Sequence, residues 1–289
     1  MTVPREAVPR EVVPREAVRR LGYEDFADCL RLAQDRGWPA EYRAWDLLFA
    51  LGEVYGIDDP AGGLAATVAL ARYGGTLTTV GGLLVARRHG RRGLGRGLMR
   101  YATERAEAAS IWLTATEYGR RMYADLGFRV TGTCTRYAGR LRSGGRPGGP
   151  SREADPSDLP AVVALDTEVF GAGRTELFTR LFSAAEQIRL VEGPAGVRGF
   201  AGLWRGVDGP VVGPLVAEDS GTAAALLSGL APAVDGPVRI DLDGHRPELR
   251  AWLEEHGLRE TGGTAVMVHG DDLPGDRTRL FTPVTGAIG

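Results

Sequence analysis

The chain has 289 residues, 43% of them hydrophobic and 25% charged, enough to bury the core of two ordinary domains or one large one. A formal net charge of −2 and an isoelectric point near 6.2 exclude a whole-molecule electrostatic footprint for nucleic acid or an anionic membrane, so any basic patch is local. The absence of lysine excludes a Walker-type phosphate-binding lysine and a lysine Schiff base, and two cysteines, Cys29 and Cys134, are too few for a disulfide framework or a cysteine zinc site.

Residues 3–17 read VPREA, VPREV, VPREA, and a proline in every unit blocks both helix and sheet ladders, so residues 1–17 are expected to be a disordered tail. Folded structure is expected from "AVRRLGYEDF", a short strand followed by an amphipathic helix from about Glu24 to Arg36. In "GWPAEYRAWDLLFALGEVYG" the residues Trp38, Trp45, Leu47, Leu48 and Leu51 share a helical face. "GGLAATVALARYG" and "TLTTVGGLLVARR" read as two strands of a hairpin turning at Gly74 and Gly75. A glycine-rich basic loop, "HGRRGLGRGLM", then leads into a helix, a strand "IWLTAT", a helix "GRRMYADLG" and a strand "FRVTGTCTRYAG".

Gly, Pro and Ser in "RSGGRPGGPSREADPSD" mark a linker, placed at 143–152. Beyond it the order recurs: helix "DLPAVVALDTEVFG", strands "IRLVEG", "VRGFAGLWRG" and "PVVGPLVA", helix "SGTAAALLSGLA", strand "VRIDLD", helix "PELRAWLEEHG". "YADLGFRVTG" at 123–132 lies over "LEEHGLRETG" at 253–262 with Gly, Arg, Thr and Gly in register, which points to duplication. The expected fold class is α+β: two tandem domains, 18–142 and 153–289, each a mixed, mostly antiparallel sheet flanked by helices.

The basic loop is not a Rossmann fingerprint, because Leu98 stands where the third glycine belongs. It also lacks the repeats and interleaved aromatics of an RNA-binding RGG tract. Its place between an apolar strand and a helix N-terminus, with Arg91, Arg92 and Arg96 close by, makes Arg91–Gly97 a candidate phosphate cradle.

"LLVARRHGRRGLGRGLM" resembles the acetyl-CoA pyrophosphate loop of GNAT-superfamily N-acetyltransferases, Gln/Arg-x-x-Gly-x-Gly/Ala. Gly93 and Gly95 fall on the small positions, Arg91 and Arg92 on the variable ones, and Gly90 stands at the leading Gln/Arg position. "ATEYGRRMYADLGF" is similar to a second segment of that family, Ala-Thr-x-x-Gly-Arg-x-x-Tyr-x-x-x-Gly-Phe, and the "GPLVA" strand at 213–217 resembles the C-terminal domain of bacterial tandem-GNAT proteins. The resemblance implies an acetyl-CoA-dependent N-acetyltransferase acting by direct attack, with catalysis in 18–142. It also implies cofactor contacts at Leu84, Val85, Ala86, Arg91, Arg92, Gly93, Leu94, Gly95, Arg96, Gly97 and Thr116, and Tyr123 as the acid that protonates the CoA sulfur. Leu84, Val85 and Ala86 would offer a backbone N–H to the thioester carbonyl.

The base has three candidates: Glu117 at the strand end, and Asp46 or Glu41 in the tryptophan-bearing region. Trp38, Tyr42 and Trp45 are candidates for an acceptor wall. At the corresponding places the second repeat carries Glu218 and Asp219 before its helix, and Leu253 where the first has Tyr123. It is therefore expected to be a degenerate copy that holds no acetyl-CoA in this manner and supplies stability or one wall of the acceptor cleft. His245 has no second His or Cys at ligand spacing, so no metal is expected.

The expected partner is a small-molecule amine, with no nucleic acid and no membrane, in a monomer or homodimer. With no apolar run of about 20 residues and a charged, proline-rich N-terminal segment, the expected location is cytoplasmic; arginine, alanine and glycine in place of lysine point to a GC-rich bacterial genome. The alternatives are a non-catalytic acyl-CoA-binding regulatory or partner-binding module, or a transferase of another acyl group.

Overall fold

The computed structural model describes residues 17–144 and 149–289. The proline repeat up to residue 16, and residues 145–148 of the expected linker, lie outside the described residues.

The first half runs β1 (Arg19–Arg20), α1 (Phe26–Asp35), α2 (Tyr42–Leu51), β2 (Glu53–Asp58), β3 (Leu64–Tyr73), β4 (Leu77–Val85), α3 (Leu94–Arg105), β5 (Ser110–Ala115), α4 (Glu117–Ala124) and β6 (Arg129–Gly139). The second half runs β7 (Arg152–Glu153), α5 (Leu159–Phe170), α6 (Thr175–Ala184), β8 (Gln187–Gly193), β9 (Gly196–Gly206), β10 (Gly209–Ala217), α7 (Ser220–Leu230), β11 (Val238–Asp243), α8 (Pro247–Glu255), β12 (Leu258–Gly270) and β13 (Leu280–Thr282). The hairpin turn falls at Gly74, which takes φ +63°. Helix α1 begins at Phe26, because Tyr23–Asp25 forms a separate 3-10 turn. Helix α6 is an addition to the expected order, and Leu177, Phe178 and Leu181 bury one face of it at helical spacing.

The strand order β1-β2-β3-β4-β5-β12-β6-β11-β10-β9-β8-β7 joins both halves into one sheet by exchange of their long late strands, β6 and β12. Strand β12 of the second half inserts between β5 and β6, and β6 of the first half inserts between β12 and β11. The β6–β12 ladder is symmetric: Ala138 opposite Arg259 and Arg129 opposite Val268 are images of each other under the duplication. So are the bulges at Thr131 and Thr261, the two residues skipped by the register. The halves cannot part without unpairing a strand from each.

One face of this sheet carries α1, α2, α5 and α6 over a single shared core that includes Trp45, Trp112, Phe170 and Phe178. On the other face, α3 and α4 cover the first half and α7 and α8 cover the second, over separate cores.

Two parallel pairs break the antiparallel pattern, and each splays open. Strands β4 and β5 pair only from Leu77–Ser110 to Thr79–Trp112, after which both continue without pairing. Strands β10 and β11 pair at Val211–Arg239 and Val212–Ile240, and there β13 enters the gap, bonding to β10 opposite Leu215 and Val216. One splay is therefore open and the other is filled by the chain itself.

Candidate functional site

The open splay leads into a cavity of about 830 Å³ between β4, β5, α3 and α4. At its mouth the loop before α3 bends through two left-handed residues, Arg91 at φ +67° and Gly93 at φ +89°, and Gly93 is the residue that precedes the helix. The first helical bond runs from the Gly97 N–H to the Gly93 carbonyl at 2.9 Å, so the amides of Leu94, Gly95 and Arg96 lie ahead of the ladder. At Gly95 the helix lies within van der Waals reach of the strand, a Cβ there meeting Cγ2 of Val85 at 3.4 Å.

Charge at this end is mostly positive: Arg36, Arg91, Arg96 and Arg100 line the cavity, along with the carboxylate Glu104. Arg96 is held by Asp125 at 2.6 Å. Of the loop residues expected to contact the cofactor, Arg92 does not reach the lining and instead approaches His89 at 3.4 Å. Arg100 was not foreseen, although it lies one turn beyond Arg96 on the same helix and so on the same face.

Two carboxylates brace the loop from behind. Asp59, in the β2–β3 turn, accepts from the Ala61 N–H at 2.8 Å and from Arg88 Nε at 2.6 Å, and it pairs with His89. The backbone donor first, then Arg88 and His89, pull its carboxyl down to about 2. Asp35 at the end of α1 accepts from the Arg87 N–H at 2.7 Å.

The inner end contains Leu83, Leu84, Val85, Thr114, Thr116 and Tyr123. The Ala86 N–H donates to the Ala65 carbonyl at 2.8 Å, so Ala86 has no amide to offer and lies outside the lining. Strand alternation then turns the N–H of Val85 away from β3 and across the splay, whereas Leu83 falls where the β3–β4 register shifts. Tyr123 is buried on α4, edge-on to Phe128 at 6.0 Å, and burial pushes its hydroxyl up to about 12. Gly119 makes room for its ring, because a Cβ there would lie 3.0 Å from Cε2 of Tyr123.

The expected base and acceptor wall are not assembled as the spacing suggested. Glu117 stands in the first turn of α4 with its side chain 92% exposed, 3.9 Å from Arg120, and it does not reach the cavity. Glu41 accepts from the Val207 N–H of the second half at 3.2 Å, and Asp46 accepts from the Tyr23 hydroxyl at 3.2 Å, so both do structural work. The aromatic trio splits. Trp38 lines the cavity, Tyr42 is exposed beside Phe26 at 4.8 Å, and Trp45 is buried beneath Gly82. Tertiary packing divides residues that share one helical period.

The filled splay cannot repeat this arrangement. Asp219 caps α7 by accepting from the Thr222 N–H at 2.6 Å, and Arg198 lies 2.5 Å from Glu218 and 3.6 Å from Asp219. An anion approaching that helix meets carboxylates, and a pantetheine arm meets β13. Leu253 is fully buried at the tyrosine position. Among the described residues no group of three or more His, Cys, Asp or Glu is placed to hold a metal ion, and no helix is long and apolar enough to cross a membrane.

A model of the Acetyltransferase (GNAT) family matches residues 20–128, and an Acetyltransferase (GNAT) domain model matches residues 162–282. The chain is 27% identical over 288 residues to the uncharacterized N-acetyltransferase YitH of Bacillus subtilis (strain 168), covering 93% of this chain and 97% of that one. In fold it is similar to a candidate acetyltransferase from Pyrococcus horikoshii, with a TM-score of 0.78 at 17% identity over 99% of this chain and 100% of that one. A tandem GNAT protein from the clavulanic acid biosynthesis pathway gives a TM-score of 0.60 at 14% identity over 88% and 98%.

Proposed function

The chain belongs to the GNAT acetyltransferase family as a tandem of two such domains, an acyltransferase, and on that premise we propose that its first domain transfers an acetyl group from acetyl-CoA to the amine of a small molecule. One observation carries this reading: a helix N-terminus ringed by arginines, an open strand splay and a buried tyrosine share a single cavity. Acetyl-CoA supplies an activated thioester; every other requirement falls to the chain.

The amides of Leu94, Gly95 and Arg96, with Arg91, Arg96 and Arg100, hold the pyrophosphate at the positive end of α3. The Val85 N–H polarises the thioester carbonyl as charge develops on its oxygen. Tyr123 keeps its proton at neutral pH and gives it to sulfur as the C–S bond breaks, and the proton lost by the acetylated nitrogen restores it. The remaining proton of the incoming ammonium leaves to water, since Glu117 lies away from the cavity.

Calorimetry with acetyl-CoA should give one site per chain, because the splay of the second domain holds β13. Release of CoA thiol should follow with at least one member of a panel of small primary amines. No binding at millimolar acetyl-CoA overturns the proposal, and two sites per chain overturn the account of the filled splay. Asp59→Asn should weaken acetyl-CoA binding by roughly tenfold or more, the worth of one charge-assisted hydrogen bond of loop bracing, with kcat at saturation little changed. A fall in kcat with unaltered affinity would contradict that bracing role.

A further inference from the structure

Beyond β13 the segment Pro283–Gly289 crosses to the first half. Val284 and Ile288 join the core shared by α1, α2, α5 and α6, so the segment lies on the face opposite α3 and α4. There it covers the splay. The Thr114 hydroxyl donates to the Gly286 carbonyl at 2.9 Å, and the Tyr73 hydroxyl donates to the Ile288 carbonyl at 2.8 Å. Ala287 packs onto β4 so closely that a Cβ on Gly81 would fall 2.3 Å from its own Cβ.

Thr114 connects this segment to the cavity. Along β5, Ile111, Leu113 and Ala115 belong to the core beneath α3 and α4, whereas Trp112 belongs to the shared core, so by alternation the Thr114 side chain points to the shared side. Thr114 nevertheless lines the cavity. Thr114 therefore stands between the cavity and Gly286, which its hydroxyl contacts from the far side of the splay.

Resting on the acetyl-transfer reading above, we propose that Pro283–Ala287 is the inner wall of the acceptor pocket and the element that selects which amines reach the acyl group. The filled splay of the second domain gains a purpose: it anchors the strand that positions this wall. Gly81, Gly82 and Thr114 stay partly exposed on β4 and β5, as do Gly286 and Ala287 in the segment beyond β13, while the partly exposed Leu83 packs on the α3 side. All six are small or uncharged, and the Trp45 ring closes on Gly82, 3.1 Å from where its Cβ would be. Such a wall fits an amine on a compact, uncharged body and disfavours a polyamine or a lysine in a basic peptide, whose extra charges would be desolvated without partners.

The test moves one methyl across the contact. Gly81→Ala should push the segment off β4 and raise KM for the compact amines ethanolamine and benzylamine by roughly tenfold, because small misplacements near a reacting centre are costly. The acetyl-CoA Kd by calorimetry should change by less than about twofold. Gly81→Ala combined with Ala287→Gly removes the nearest atom but leaves the Ala287 Cα at 2.7 Å and its carbonyl oxygen at 3.0 Å, so it should bring KM only part of the way back. Should Gly81→Ala leave the amine KM values unchanged, or should the paired variant fail to lower them from the single variant's while its melting temperature recovers in part, the wall is refuted. Better turnover by wild type of spermidine than of the compact amines refutes the substrate class. Failure of the wild type to bind acetyl-CoA, or to release CoA with any amine, strikes instead at the parent reading.

Discussion

Tyr123→Phe is expected to lower kcat by roughly 10²- to 10⁴-fold, the range for losing a positioned proton donor, with the acetyl-CoA Kd almost unchanged. The substitution removes one oxygen from a ring that remains packed on Phe128 beside Gly119, so the cavity keeps its shape. Thiols titrate near about 8.5, so a departing CoA sulfur accepts a proton readily only from a donor still loaded at working pH. Burial holds the Tyr123 hydroxyl up to about 12, which keeps it loaded throughout the neutral range. The sign of the pH dependence follows. Activity should rise with pH as the acceptor amine loses its proton, and Tyr123 should impose no falling limb below about pH 11, one unit short of its own titration. A falling limb between pH 7 and 9 that disappears in Tyr123→Phe would contradict a tyrosine held this high. Equal loss of affinity and turnover would make the residue a packing element and favour a binding module over an enzyme.

The parts of the site readable in the amino-acid order are those built by neighbours in sequence. Gly93, Gly95 and Arg96 sit within one turn at a helix start, and Tyr123 and Gly119 lie on one short helix, so spacing alone assembles each group. The failures share a physical cause. Glu117 and Thr116 are adjacent, yet Thr116 lines the cavity while the Glu117 side chain turns to solvent, because direction is decided by how α4 docks. Trp38 and Trp45 fit one helical period, but the break before α2 sends one to the cavity and buries the other under Gly82. Strand exchange was beyond reach for a related reason. The match of 123–132 to 253–262 shows that the two late strands are alike, and alike strands satisfy either half's sheet equally well. Only the closure of the whole sheet, set by long-range pairing of β12 with β5, selects the exchanged arrangement.

Arg174→Met is expected to destabilise the protein by about 3–5 kcal/mol, the cost of leaving a buried charge without its partner. Arg174 and Asp166 have side chains 0% and 1% exposed, joined by two hydrogen bonds of 2.9 and 2.6 Å. The guanidinium also donates to the Gly289 carbonyl at 2.8 Å and lies 3.6 Å from the centre of the Phe170 ring. Methionine can fill the volume and keep the ring contact, but it leaves the Asp166 carboxylate desolvated in the core common to both halves. A loss of that size should lower Tm by on the order of 10 °C. Asp166→Leu together with Arg174→Met removes both charges and should recover most of the loss, since apolar replacement of a buried pair is often neutral. Recovery should stay incomplete, because the Gly289 carbonyl loses one of its two donors in both variants and keeps only the Val284 N–H. If Arg174→Met shifts Tm by no more than a degree or two, the pair holds little of the shared core together. The double variant also separates stability from specificity: with its fold restored but its last residues less firmly tied, it should show a higher amine KM at nearly wild-type acetyl-CoA affinity. An unchanged amine KM would locate the anchor of the acceptor wall in β13 alone.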